Sequence, residues 1–311
     1  LRGSREVKEI TPGKRGRSHD SLSSAETQLG RRQSARPRDE PGRKVVLPDR
    51  YQLGECLGEG GFAEVWSATD RLSGRAVAIK ILHLDEGLNS GALRRFEIEV
   101  RAAARLQHPN VADIYDVVSE RDHAYLVMEL APGATLRELS YAAEPSLATI
   151  RDVALGITSA LAYAHARGVV HRDLKPENVI VALESGRAVP RLVDFGIACL
   201  IDAVDGVAAA DSWVGTPHYM APEQCRGELA RVGPASDLYA LGVILYELFA
   251  GVLPFDGVDV TLVFHQHMRA PVPTLPPDAL APEGADAVIA NLLAKEPHDR
   301  FELAADVRSA L

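Results

Sequence analysis

The segment from Val169 to Gly196 constrains the fold and the chemistry of this chain more than any other. It contains the sequence HRDLKPEN at His171–Asn178 and DFG at Asp194–Gly196. Short apolar runs, Val179–Val181 and Leu192-Val193, frame the two polar clusters. This pattern predicts a loop, a short strand, a turn, a second short strand and a second loop.

Pairing of these two strands would bring Asn178 and Asp194 close together. Both side chains offer oxygen ligands, which hard divalent cations such as Mg²⁺ prefer and share with phosphates. Asp173 lies five positions before Asn178, so it can sit beside such a metal without ligating it and remain free to accept a proton. The segment therefore predicts a base and a metal site in one place.

The segment resembles the catalytic core of the protein kinases, whose signature includes these two motifs. Other kinase-like motifs follow the same order along the chain: a glycine-rich loop, Lys80 on a strand, Glu99 on a helix, and Ala221-Pro222-Glu223. The resemblance covers residues 51–311. It implies an α+β, bilobal kinase fold with ATP in the cleft: a small lobe (about 45–130) with a five-stranded antiparallel sheet and one helix, and a larger, mainly helical lobe (about 131–311).

The residues themselves support the small lobe. Short apolar runs separated by turn residues predict five strands, at Tyr51–Leu57, Glu64–Ala68, Arg75–Leu82, Ile114–Ser119 and Ala124–Glu129, the last two joined by a Glu120–Asp122 turn. A helical stripe of Leu93, Phe96, Val100, Ala103 and Ala104 includes Glu99 on the same face. A carboxylate on such a face is costly unless paired, and Lys80, an amine among apolar neighbours, is the partner that we predict.

The resemblance assigns a role to each site residue. Asp173 would accept the proton of the substrate hydroxyl, Lys175 would stabilise the transferring phosphate, and Lys80, oriented by Glu99, would bind the α- and β-phosphates. Asn178 and Asp194 would hold Mg²⁺, with Mn²⁺ as an alternative. The implied ATP-contacting residues are Leu57, Gly58, Glu59, Gly60, Gly61, Phe62, Ala63, Val65, Ala78, Lys80, Met128, Glu129, Ala131 and Ile180. Ala63 stands where the family pattern has a third glycine.

The large lobe is predicted to be helical. Helical stripes cover Ile150–Ala164, Leu238–Leu248, Val288–Leu293 and Leu303–Leu311. Asp237 is expected to cap the second of these helices. By resemblance it also bonds the backbone of the catalytic loop, His171–Asn178. Arg300 resembles the arginine that pairs with the glutamate of the Ala-Pro-Glu motif, here Glu223, in a structural ion pair.

Lys175, two residues after Asp173, is the pattern of serine/threonine kinases and implies serine and threonine acceptors in protein substrates. Low aromatic content favours the bacterial branch of the family. A catalytically inactive scaffold with the same fold would lack Lys80, Asp173 or Asp194, and all three are present. A small-molecule phosphotransferase would share the metal site, but the stretch Thr216–Glu223, here called the substrate platform, resembles a peptide-binding surface.

Charge is distributed unevenly along the chain. Residues 1–44 carry 12 Lys/Arg and 6 Asp/Glu and have no aromatic residue, so we expect a disordered basic tail. The remaining residues carry a net charge of −15, which argues against a nucleic-acid partner. No run of about 18 apolar residues predicts a membrane span, and three widely spaced cysteines suggest a reducing, cytoplasmic setting. Membrane attachment through a further segment stays open.

The segment between Asp194 and Glu223 is the expected site of control. Arg172 precedes Asp173, and an arginine there needs an anion that no nearby acid obviously supplies. A phosphate on Ser212 would meet this need through charge-assisted contacts, whereas by resemblance Thr216 is needed unmodified near Asp173 and Lys175. We predict that Ser212 is phosphorylated in trans, within a transient homodimer.

Deletion of residues 1–44 should leave the phosphorylation rate on a generic peptide within a few-fold, because the tail has too little apolar sequence to pack on a folded domain. The measurement compares initial rates of the full chain and the shortened chain. A large loss of rate, or resistance of the tail to proteolysis, would show instead that it docks on the domain.

Overall fold

The computed structural model describes residues 47–59, 63–82, 90–119, 124–142, 144–195 and 217–310, and for residues 90–96 the backbone only. The chain divides into two units, Leu1–Lys44 and Val45–Leu311, and all described residues belong to the second. Four regions with sequence predictions lie outside the described residues: the tail, Gly60–Phe62, Glu120–Asp122 and Gly196–Thr216.

Five strands form an antiparallel sheet in the order β1-β2-β3-β5-β4. They are β1 (Tyr51–Glu59), β2 (Ala63–Asp70), β3 (Arg75–Leu82), β4 (Ile114–Ser119) and β5 (Ala124–Glu129). The sheet confirms the predicted architecture of the small lobe. The bounds of β3, β4 and β5 agree with the prediction, whereas β1 and β2 are longer than expected.

The alternation of side chains along β3 determines where Lys80 points. Successive strand residues face opposite sides of a sheet. Ile79 is buried in a cluster on one side, whereas Ala78 packs on the other side with Val100 of helix α1 (Ser90–Ala103). Lys80 shares the face of Ala78, so its ammonium group extends between the sheet and the rest of the domain.

The larger lobe contains a second, three-stranded sheet in the order β6-β7-β8 and further helices. These elements are β6 (Ala134–Thr135), α2 (Leu136–Ala142), α3 (Leu147–His165), β7 (Val179–Glu184), β8 (Arg187–Leu192), α4 (Pro222–Cys225), α5 (Pro234–Ala250), α6 (Val260–Arg269), α7 (Ala285–Leu292) and α8 (Ala304–Ala310). The β7–β8 hairpin is the predicted strand, turn and strand. The predicted helices are present, with ends shifted by a few residues.

Helix α3 lies in the core of this lobe. Its buried residues, among them Ile157 and Leu161, pack in the same apolar cluster as the side chains of α5. Ser146 caps its first turn, because the Ser146 hydroxyl accepts a hydrogen bond from the N–H of Thr149 at 3.2 Å. Among the described helices α3 alone is long and apolar enough to cross a membrane by length and composition, and burial in the core accounts for that apolar character.

Helix α5 is buried along most of its length, with 13 of its 17 residues in the core. The prediction that Asp237 caps this helix is wrong. The helix begins at Pro234, after Gly233, and the Ser236 hydroxyl accepts a hydrogen bond from the N–H of Gly233 at 3.1 Å. Asp237 therefore lies within the first turn, and its carboxylate is available to groups outside the helix.

Glu223 of α4 is held by an ion pair with Arg300, which lies between α7 and α8, and by a hydrogen bond from Ser236 of α5. The two charged side chains are fully buried, the guanidinium donates two hydrogen bonds of 2.8 Å to the carboxylate, and the Ser236 hydroxyl donates a third at 2.6 Å. Burial acts to raise the pKa of Glu223, but Arg300 outweighs it and the pKa lies below its ordinary value. The stabilisation is therefore present at neutral pH and is lost as pH falls through that lowered pKa.

Replacing Arg300 with methionine should lower the free energy of unfolding by about 3–5 kcal/mol, because it leaves a buried carboxylate without its counter-ion. Urea unfolding at pH 7 measures the change. The matched control is Arg187→Met, which removes an exposed arginine paired with Asp152 and should change the midpoint far less. Equal midpoints for the two variants would contradict the structural role of the buried pair.

Candidate active site

Asp237 of α5 holds the loop that contains the HRD sequence. Its carboxylate accepts hydrogen bonds from the backbone N–H of His171 at 2.9 Å, the backbone N–H of Arg172 at 2.8 Å and Nε2 of His165 at 2.8 Å. The Asp237 side chain is only 1% exposed, and these three donors offset the cost of burying its charge. The structure thus contains the contact with the loop backbone that the resemblance implies.

Asp173 follows this anchored backbone and is surrounded by polar groups of the same loop. Lys175 Nζ donates a hydrogen bond to Asp173 Oδ2 at 2.8 Å. Asn178 Nδ2 donates to the same oxygen at 3.1 Å and to the backbone oxygen of Asp173 at 2.7 Å. The three side chains that the sequence places in one loop therefore meet, and the Asp173 carboxylate is oriented by a cation and an amide.

Asn178 and the segment that leads to Asp194 are joined through the backbone. The N–H of Val193 donates to the backbone oxygen of Asn178 at 3.0 Å, which holds the two segments together. Because Nδ2 of Asn178 donates to Asp173, its Oδ1 is the atom left to ligate a metal. No described group of three or more His, Cys, Asp or Glu residues could hold a metal ion. The two donors fit Mg²⁺, which completes its shell with phosphate and water oxygens.

The predicted pair between Lys80 and Glu99 is not formed. Lys80 Nζ donates instead to Asp194 Oδ2 at 2.8 Å, and Arg172 Nη1 donates to both oxygens of Glu99, at 2.8 and 2.7 Å. Each carboxylate is thus paired with one cation, and the partner of Glu99 is Arg172 instead of the predicted Lys80. The pattern of residues along the chain correctly indicates that Glu99 needs a cation, but it does not determine which one.

The contact between Arg172 and Glu99 shows that the premise of an arginine without an acidic partner is wrong. The two residues are 73 positions apart, so no local pattern indicates the contact. Ser212 and Thr216, the two hydroxyl residues of the predicted regulatory segment, lie outside the described residues.

The predicted ATP-contacting residues of the small lobe lie on neighbouring strands. Val65 pairs with Gly58 on one side and with Lys80 on the other, and Ala78 pairs with Met128. Ala63 packs in the same apolar cluster as Val65, Ala78 and Met128. Together these residues form one continuous surface of the sheet.

The other predicted ATP contacts are more dispersed. Leu57 and Glu59 are exposed on β1, Ile180 lies on β7, and Ala131 follows β5. The carboxylate of Glu129 pairs with Arg191 at 3.4 Å. The backbone N–H of Glu129 donates a hydrogen bond to the carbonyl of Asp113 at 2.8 Å. The tip of the glycine-rich loop, Gly60, Gly61 and Phe62, lies outside the described residues.

Phe195 connects the second loop to the first. Its side chain is 3% exposed, and its ring lies 4.6 Å from the His171 ring, centroid to centroid. A narrow apolar cavity lies between this phenylalanine and Met128 and is also lined by Leu126 and Asp194. The Met128 side chain therefore faces a cavity that reaches Phe195 and Asp194.

A partly buried polar network near the substrate platform was not predicted. Arg137 of α2 donates to Glu177 Oε1 at 2.9 Å and to Glu247 Oε1 at 2.5 Å, and it also bonds the hydroxyl of Tyr219. The Tyr219 hydroxyl donates to Glu247 Oε2 at 2.5 Å. Burial and the neighbouring carboxylate of Glu247 raise the pKa of Tyr219, so the hydroxyl keeps its proton and acts as the donor.

Gln224 was also missed. Its side chain joins Ala221 to the backbone oxygen of Arg172, 52 positions earlier. Neither periodicity, nor charge pattern, nor the kinase motifs named above indicate a role for this residue or for Arg137. The signal for both lies in contacts between segments that are distant along the chain.

The sequence of the chain is similar to that of known proteins. A family profile described as "Protein kinase domain" matches residues 51–309. The chain is 37% identical over 265 residues to serine/threonine-protein kinase PrkC of Bacillus subtilis, an alignment that covers 85% of this chain and 40% of PrkC.

Two mycobacterial proteins are similarly related. The chain is 38% identical over 273 residues to serine/threonine-protein kinase PknB of Mycolicibacterium smegmatis, and 36% identical over 272 residues to PknB of Mycobacterium tuberculosis. Each alignment covers 85% of this chain and 43% of the relative. The chain thus spans about two fifths of the length of the curated relatives that it matches.

Proposed function

Because the chain belongs to the protein kinase domain family, we propose that it is a serine/threonine protein kinase that uses ATP. The observation that carries this proposal is the Asp173 carboxylate, oriented by Lys175 and Asn178 in a loop that Asp237 anchors. Phosphoryl transfer depends mainly on positioning and on stabilisation of charge. A base, a cation and oxygen ligands in one fixed loop supply both.

Each residue then has a defined task. Asp173 accepts the proton of the acceptor hydroxyl. The hydroxyl oxygen bonds to the γ-phosphorus of ATP while the bond between that phosphorus and the ADP leaving group breaks. Lys175 stabilises negative charge on the transferring group, and Lys80 binds the α- and β-phosphates. Asn178 and Asp194 would hold Mg²⁺, or Mn²⁺ in its place, and the metal supplies positive charge against the phosphate oxygens.

The acceptor is proposed to be a serine or threonine of a protein. Lys175 stands two residues after Asp173, as in serine/threonine kinases, and the relatives reported above carry that description in their names. The substrate platform supports a protein rather than a small-molecule acceptor, because Glu223 and Tyr219 tie it to the buried helix α5. A rigid surface beside the base can position an extended peptide.

Asp173→Asn should lower kcat about 100-fold or more, because a general base contributes in the transition state, and should leave ATP affinity nearly unchanged. The amide is isosteric and can still accept from Lys175. Initial rates with labelled ATP and a peptide, together with nucleotide binding, measure the two effects. The matched control is Asp152→Asn, which alters an exposed ion pair with Arg187. Equal turnover by wild type and Asp173→Asn would overturn the assignment.

Control of the enzyme by trans-phosphorylation of Ser212, through a transient homodimer, is a further part of the proposal. A phosphate near Arg172 would compete with Glu99, which already contacts that guanidinium. Phosphorylation would therefore raise activity by exchanging one anion for another at Arg172, not by filling an empty position. Doubly charged phosphate makes stronger contacts with arginine than a carboxylate does.

Ser212→Ala should abolish the rise in initial rate that follows pre-incubation with Mg²⁺ and ATP, because it removes the acceptor hydroxyl. Mass spectrometry of the pre-incubated wild type should locate phosphate on Ser212. Ser309→Ala, on the surface of α8, serves as the control and should behave like wild type. Equal activation of wild type and Ser212→Ala, or no phosphate between Asp194 and Glu223, would contradict this mode of control.

A further inference from the structure

Gln224 of α4 connects the substrate platform to the catalytic loop through a single amide group. Its Oε1 accepts a hydrogen bond from the N–H of Ala221 at 3.0 Å, and its Nε2 donates to the backbone oxygen of Arg172 at 2.8 Å. Glutamine suits this position because its amide carries both an acceptor and a donor. Glutamate would keep the acceptor and lose the donor.

The amide of Gln224 extends from a rigid support. The preceding residue, Glu223, is fully buried and is held by Arg300 and Ser236. Ser236 is itself followed by Asp237, which binds the catalytic loop. The first turn of α5 thus fixes both α4 and the loop, and Gln224 bridges the short distance between them.

The backbone of Arg172 needs support on both sides. Its φ angle is +67°, in the left-handed region that residues with a side chain rarely adopt. Asp237 accepts a hydrogen bond from its N–H at 2.8 Å, and Gln224 donates one to its carbonyl at 2.8 Å. Two side chains from different elements therefore hold this residue in an unfavourable conformation.

The peptide bond between Arg172 and Asp173 carries this constraint to the base. A peptide group is planar, so the direction of its carbonyl fixes the direction of its N–H. Gln224 holds the carbonyl oxygen, and the Nδ1 atom of His171 accepts from the Asp173 N–H at 3.3 Å. Hydrogen bonds therefore hold the carbonyl and the N–H of the Arg172–Asp173 peptide group. Because the Cα of Asp173 belongs to this peptide plane, its position is fixed as well.

We propose that Gln224 is a positioning residue for phosphoryl transfer, which orients Asp173 through the peptide bond after Arg172. The inference rests on the proposed kinase activity and adds to it a residue that links substrate platform and base. Its effect should fall on kcat, because the base acts in the transition state. The KM for ATP should stay the same, because the hydrogen bonds that the structure describes for the Gln224 side chain reach Ala221 and Arg172 and none of them reaches Lys80.

The main variant is Gln224→Glu, which has nearly the same shape. It keeps the acceptor for Ala221 but sets an oxygen against the Arg172 carbonyl, so kcat per folded enzyme should fall by about tenfold or more while the KM for ATP changes by less than about twofold. Gln224→Met, which loses both bonds, should show the same separation of kcat from KM. The matched control is Gln52→Glu, the same chemical change on exposed β1, which should leave kcat unchanged.

A double-mutant comparison separates positioning of the base from an effect on the rate that does not involve Asp173. If Gln224 acts through Asp173, then adding Gln224→Glu to Asp173→Asn should lower the residual rate by less than about twofold. A residue that acts on the reaction independently of Asp173 would lower the rate in both backgrounds by the same factor, and a residue that only stabilises the fold would change neither rate per folded enzyme. Nucleotide-binding stoichiometry gives the folded fraction of each variant, so that every rate refers to folded protein.

The outcomes distinguish this inference from the proposed function. An active wild type in which Gln224→Glu leaves kcat unchanged, or lowers it by the same factor in both backgrounds, would overturn the role of Gln224 alone. A folded wild type that binds ATP and transfers no phosphate would overturn the proposed function and this inference together.

Discussion

The hydrogen bonds that the Asp237 carboxylate accepts from His171, Arg172 and His165 are the interaction on which the site depends. Asp237 lies on α5, the most deeply buried helix among those described. The packing of this helix in the core therefore determines the position of the catalytic loop. Helix α5 cannot shift without disturbing the packing around it. The preceding residue, Ser236, fixes the substrate platform through Glu223 in the same way.

Much of the fold could be predicted because its signals are local. Alternating apolar residues and turn residues identified the five strands of the small lobe, and the bounds of three of them agree with the prediction. The convergence of Asp173, Lys175 and Asn178 was also predictable, since all three belong to one short loop. Spacing along such a loop limits how far apart its side chains can lie.

The features that could not be predicted depend on segments that are distant along the chain. Arg172 and Glu99 are 73 positions apart, and Lys80 and Asp194 are 114 apart. Sequence patterns indicate that each charge needs a partner, but the choice between comparable partners depends on the three-dimensional position of α1. Gln224 carries no charge and lies on no periodic face that marks it, so only the folded structure shows its contact with the catalytic loop.

Identification of the amino acid that receives phosphate tests the proposed activity most directly. The purified chain is incubated with Mg²⁺, labelled ATP and a mixed protein substrate, and the labelled products are hydrolysed to amino acids. Phosphoserine and phosphothreonine are expected, because Lys175 stands two residues after Asp173, as in serine/threonine kinases, and contacts its carboxylate. Labelled phosphotyrosine alone, or binding of ATP without any transfer, would contradict the proposed activity.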